Sequence, residues 1–144
     1  MLLAALARKD RIAGLIGIAA APDLTQRLQW TKLTPQQQKT VMEEGLVQVP
    51  SNYEDDYIFT RALFDDGARN LLLDGPIDLD VPLTLLHGQQ DADVPVEISL
   101  EIARQVASSD VVLELVKSAD HRFSGPDELN RLAAAVDTMT EKLA

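Results

Sequence analysis

The apolar positions of the chain repeat in two different ways. Ile12 to Ala19 and Val81 to Gly88 are apolar runs with little alternation, the pattern of strands buried on both faces beneath helices. Asp110 to Val116 sets Val111, Leu113 and Leu115 against Val112, Glu114 and Val116, which predicts a third strand with one apolar and one mixed side. Helical spacing appears elsewhere. Ile98, Ile102 and Val106 share one face of a helix over Val94–Ala107, with Pro95 in its first turn. Leu129, Leu132, Ala133, Val136 and Met139 form the core stripe of a last helix from Asp127 to about Leu143.

Between Leu24 and Leu73 the character changes, and Trp30, Tyr53, Tyr57, Phe59 and Phe64 all lie there. Thr34-Pro35-Gln36-Gln37 is a capping box with proline in the first helical position. That helix should stop at Gly45. Ser51-Asn52-Tyr53-Glu54 repeats the capping pattern and predicts a second helix from Asn52 to Asp66. The region reads as a helical insert, 24–73, in an otherwise alternating chain. Strands alternating with helices imply right-handed crossovers and a parallel sheet. The expected fold class is therefore α/β: three parallel strands, flanking helices and a helical insert, in one domain over 1–144.

Met1 to Arg8 is apolar up to the arginine and has no Ser, Thr, Asp or Asn ahead of it as an N-cap. It reads as the middle of a buried helix, and the expectation is that the chain is part of a longer one.

Composition narrows the chemistry. With 13 basic and 23 acidic residues the net charge is -10, which opposes binding to a phosphate backbone or to anionic lipid. There is no cysteine and there are two histidines, His87 and His121, so no thiolate metal site is available and no metal or cofactor is expected. The apolar run Gly14 to Ala21 is far shorter than the ~20 residues of a membrane span. No charged leader is evident, and a cytoplasmic protein is the default expectation.

Two loops carry candidate chemistry. His87-Gly88-Gln89-Gln90-Asp91-Ala92-Asp93-Val94-Pro95 follows the second strand, and Ala119-Asp120-His121-Arg122 follows the third. Loops at the carboxyl ends of parallel strands are where such folds place their sites. Neighbouring strands would bring Asp91 and His121 to one edge of the sheet. A carboxylate accepting from histidine Nδ1 fixes the tautomer and leaves Nε2 free to act as a base toward a hydroxyl.

The H-G-x-x-D-x-x-V-P segment at His87–Pro95 and the Asp120-His121 loop resemble the C-terminal half of an α/β-hydrolase. Val49-Pro50-Ser51, Leu71-Leu72-Leu73, Pro76-Ile77 and Ser108-Ser109-Asp110-Val111 resemble the branch of palmitoyl-protein thioesterases and acyl-glucuronide esterases. The resemblance implies an α/β-hydrolase sheet, with Asp91 as triad acid, His121 as base and the helical insert as a cap over the acyl pocket. It implies a serine-type hydrolase of small-molecule esters or thioesters that works through an acyl-enzyme. The family's nucleophile sits in a G-x-S-x-G elbow. Ser51, Ser99, Ser108, Ser109, Ser118 and Ser124 all lie outside such a motif, so the nucleophile-bearing part is expected to be absent from this chain, which alone should be inactive. The alternative is a catalytically inactive remnant that serves as an interaction module.

Each candidate also has a plainer role. Asp93 would favour the start of the following helix by its charge. Asp120, next to His121, is poorly placed to orient that ring. His87 at a strand end reads as structural. Glu54-Asp55-Asp56 and Asp65-Asp66 read as solvated faces without EF-hand spacing. The aromatics of the insert fit either its own core or a substrate pocket. Finally, the strand Ile12–Ala19 is expected to leave an apolar edge open to self-association.

Overall fold

The computed structural model describes residues 1–50 and 55–144. Its elements run α1 (Leu2–Ala7), β1 (Leu15–Ile18), a π-helical turn (Thr25–Gln29) leading into α2 (Trp30–Lys32), then α3 (Pro35–Glu44) and β2 (Leu46–Val49). They continue with β3 (Tyr57–Thr60), α4 (Arg61–Arg69), β4 (Leu83–Gly88), α5 (Val96–Gln105), β5 (Val111–Val116) and α6 (Pro126–Leu143). Two compact units result: Met1–Pro22 with Leu72–Ala144, and Asp23–Leu71.

The first unit is the α/β part. Its sheet has the order β1-β4-β5. Both pairings are parallel, Leu15 opposite Leu83 and Leu83 opposite Val111. β4 lies between its two neighbours, which is why its run shows so little alternation: Leu83, Leu85, Leu86 and His87 are all buried. Among the described residues β5 ends the sheet, and it leaves Val112 and Leu115 exposed. α5 buries Ile98, Ser99 and Ile102. Leu86, Val116, Ala119 and Phe123 form a cluster against which Leu132 and Ala135 of α6 pack. In α1 only Leu2 and Ala5 are buried, while Leu3 is exposed, so this helix is half-buried rather than wholly internal.

The second unit departs from the helical insert expected of it. β2 and β3 pair antiparallel, with Leu46 opposite Thr60 and Val49 opposite Tyr57. The capping box Ser51–Glu54 lies outside the described residues, and the helix assigned to Asn52–Asp66 begins instead at Arg61. Thr60 is its N-cap, accepting from the backbone N–H of Leu63 at 3.2 Å. The other capping box forms as read. Thr34 Oγ accepts from Gln37 N at 3.3 Å, Thr34 N donates to Gln37 Oε1 at 2.8 Å, and Gly45 ends α3 at φ 90°. Leu33, Val41, Val47 and Phe64 make this unit's core, with Trp30, Val49 and Phe59 packed against it. Trp30 meets Phe64 edge-to-face at 4.9 Å. Three of the insert's aromatics thus serve its own core, and Tyr57 is exposed.

Candidate active site

Two strand-end loops of the first unit meet, as parallel neighbours must when both chains turn at the same edge. Gln89 N donates to Val116 O and Gln90 N to Ala119 O, both at 2.9 Å, so the loop after β4 is tied to the loop after β5. Gly88 makes this approach feasible. A Cβ there would overlap the backbone of Ala119 and Asp120, the residues that lead into His121.

Asp91 is the centre of the site, its side chain almost fully buried. Its Oδ1 accepts from the backbone N–H of Asp93 at 2.9 Å and of Val94 at 2.8 Å. Its Oδ2 faces His121 Nδ1 at 2.9 Å. Burial raises its carboxyl pKa, but the Val94 N–H, the His121 ring and the Asp93 N–H together outweigh this and hold it below the ordinary 3.8. An ionised carboxylate that only accepts requires His121 to carry its proton on Nδ1. Nε2 has no hydrogen-bond partner among the described residues, and the side chain is 41% exposed. The arrangement leaves an exposed ring nitrogen able to take up a proton while a buried carboxylate holds the opposite nitrogen.

The loop bearing His121 is fixed from within. Asp120 Oδ1 accepts from Arg122 N at 2.9 Å and Phe123 N at 3.3 Å. Phe123 adopts φ 48° and is buried beneath the loop. Asp120 therefore staples the turn rather than orienting the ring. Asp93 is exposed, and its backbone serves Asp91. The acidic residue in the first turn of α5 is Glu97, so the charge role expected of Asp93 falls to Glu97.

Ligand atoms of Asp91, Asp93 and His121 lie within 4.8 Å of one another. The hydrogen bonds just described already engage both Asp91 oxygens and His121 Nδ1, which leaves a poor donor set for a cation.

Two features were not anticipated from sequence: the backbone N–H pair on Asp91 Oδ1, and a hydrogen bond between His87 Nδ1 and Ser99 Oγ at 2.7 Å. The first had a signal, because an aspartate two and three residues ahead of free N–H groups is an Asx turn. The second joins residues on different elements and leaves no local pattern.

No family model matches the chain. Along its whole length it is 35% identical to the rat protein named "Palmitoyl-protein thioesterase ABHD10, mitochondrial" and 32% identical to the human one. It spans about half the length of these curated relatives, 49% and 47% respectively. Among solved structures, a putative hydrolase from Agrobacterium vitis S4 superposes with a TM-score of 0.87 at 34% identity, covering 96% of this chain and 56% of that one. Mouse alpha/beta hydrolase domain-containing protein 10 gives 0.86 at 33%, covering 100% and 58%. Est1E from Butyrivibrio proteoclasticus, at 20% identity and a TM-score of 0.70, shares the fold. The expectation of a cytoplasmic protein is corrected here, since the relatives are named as mitochondrial. A globular composition and an acidic charge occur in both compartments, so they could not have told the two apart. No helix among the described residues is long and apolar enough to cross a membrane.

Proposed function

We propose that this chain, which has the α/β-hydrolase fold and resembles the palmitoyl-protein thioesterase ABHD10 from end to end, carries the acid–base pair of a serine-type hydrolase. Its substrates are small-molecule carboxylic esters or thioesters. The observation that carries the reading is the bond from His121 Nδ1 to Asp91 Oδ2 at 2.9 Å, with the other carboxylate oxygen pinned by two backbone N–H groups.

In the first half-reaction His121 Nε2 takes the proton of a serine hydroxyl as that oxygen attacks the acyl carbon. The imidazolium then protonates the leaving thiolate or alkoxide. Asp91 stabilises the imidazolium and holds the ring in the productive tautomer. In the second half Nε2 takes a proton from water as its oxygen bonds to the acyl carbon, and the imidazolium returns that proton to the serine oxygen as the acyl–serine bond breaks and the acid leaves. The serine and its oxyanion donors belong to a part of the fold that these 144 residues do not supply, because none of their serines lies in a G-x-S-x-G elbow. The insert over 24–73 holds the place in the chain order that the cap holds in the resembled family. The mitochondrial location of the relatives is carried to this chain as its compartment. A second copy pairing with the edge of β1 that no strand among the described residues covers is the expected self-association.

The test is ester and thioester turnover by this chain fused behind the amino-terminal half of an ABHD10 relative, which provides the family's serine elbow. The fusion should hydrolyse short p-nitrophenyl esters. His121→Ala and Asp91→Asn should each lower kcat by about 10^4-fold, and Asp93→Asn only slightly. Damage from Asp93→Asn with Asp91→Asn mild would assign the acid wrongly. An inert fusion with a native fold would favour the non-enzymatic module. Turnover by the bare chain, lost in His121→Ala, would place the nucleophile among its own serines.

A further inference from the structure

His87 and Ser99 form a fully buried polar pair to which the acid–base step assigns no role. The ring lies between the end of β4 and the start of α5. Its Nε2 is 3.0 Å from Val94 O. A carbonyl only accepts, so Nε2 carries the hydrogen and Nδ1 accepts from the Ser99 hydroxyl.

Val94 is the residue whose N–H donates to Asp91 Oδ1. Pro95 follows and brings no N–H, so the peptide between Val94 and Pro95 is held through its carbonyl alone, by His87. Held at both its N–H and its carbonyl, Val94 cannot rotate its N–H away from the carboxylate. Nε2 itself also lies 3.5 Å from Asp91 Oδ2. That is too long for a strong hydrogen bond, yet it sets the positive end of the N–H dipole beside the carboxylate.

We propose that His87 is a positioning residue for Asp91: anchored by Ser99, it fixes Val94, Val94 fixes the carboxylate, and the carboxylate fixes the tautomer of His121. The inference rests on Asp91 and His121 being an acid–base pair. It gives the histidine a task that a merely well-packed core side chain does not have.

The readout is which nitrogen of neutral His121 holds the proton, seen in long-range 1H–15N spectra of the 144-residue chain. With only two histidines in the sequence, two ring systems need assigning. The unmodified chain should show His121 with its proton on Nδ1. In His87→Leu the Nε2–H form, which free imidazole side chains prefer, should become the major one. His87→Gln, whose amide can still donate to Val94 O, should restore the Nδ1–H form. Leu83→Val, a core change at the opposite end of β4, should leave it untouched. If His87→Leu does not fold, Ser99→Ala removes only the anchor and should give a mixture of tautomers. A folded His87→Leu or a Ser99→Ala with His121 still wholly Nδ1–H overturns the inference and leaves the acid–base reading standing. An Nε2–H form already present in the unmodified chain overturns both, and no variant is needed to see it.

Discussion

Asp91 gathers three hydrogen bonds into a site where its side chain is almost fully buried, and each favours the charged form. The native carboxyl therefore titrates below its ordinary 3.8. The native state then binds a proton less readily than the unfolded chain, and the stabilisation is complete above the unfolded value and lost as pH falls through the folded one. Urea unfolding at several pH values should show the unmodified chain well ahead of Asp91→Asn near neutrality, with the gap narrowing below about pH 4. A gap independent of pH would mean that the carboxylate charge contributes nothing to the fold. Gly88 makes a separate demand. Its Cβ would land on the backbone of Ala119 and Asp120, and backbone cannot swing aside as a flexible side chain can. Gly88→Ala should cost about 1–3 kcal/mol by overpacking and separate His121 from Asp91. Urea unfolding with the His121 tautomer spectrum reads both effects. Asp91 and His121 were legible because each stands in a short polar loop directly after an apolar run. His87 was legible only as structural, since its partners Ser99 and Val94 come from the far side of the loop.

Among the elements, those buried on two faces were the easiest to read. Leu83–Gly88 has a neighbour on either side and no solvent-facing register, so its sequence is a plain apolar block. β2 and β3 have four residues each, too few for alternation to stand out from chance, and each position pairs with one several residues further along, from Val49 with Tyr57 to Leu46 with Thr60. The start of α4 was misplaced for a related reason. Ser51–Glu54 has the letters of a capping box, whereas the operative cap, Thr60, has Leu63 at the third helical position and so forms only half of one. Thr60→Ala should remove that bond and cost about 1 kcal/mol, while Thr60→Ser should retain most of it. Urea midpoints of the two variants check this. Equal loss in both would trace the effect to the β-branched side chain in the strand rather than to the cap.

For the molecule as a whole, two opposing tendencies decide whether copies meet. A net charge of -10 makes them repel. The sheet order β1-β4-β5 leaves β1 paired on one side, and no strand among the described residues pairs with the other. Leu15 and Ile16 are half-buried and Ile18 is exposed along that strand. Unpaired backbone groups on an apolar strand are a template for another chain, and they act only at contact. The charge repulsion acts over a Debye length, roughly 30 Å at 0.01 M salt and about 8 Å at 0.15 M. Salt thus weakens the long-range term and leaves the contact term intact. Light scattering should show a mass near 15.8 kDa at low ionic strength and a rising mass as salt is added at fixed protein concentration. Ile18→Lys sets a charge beside that edge and should hold the chain monomeric to higher salt. A mass that stays at one copy across the whole salt range, at high protein concentration, would show that the edge of β1 is not a pairing surface.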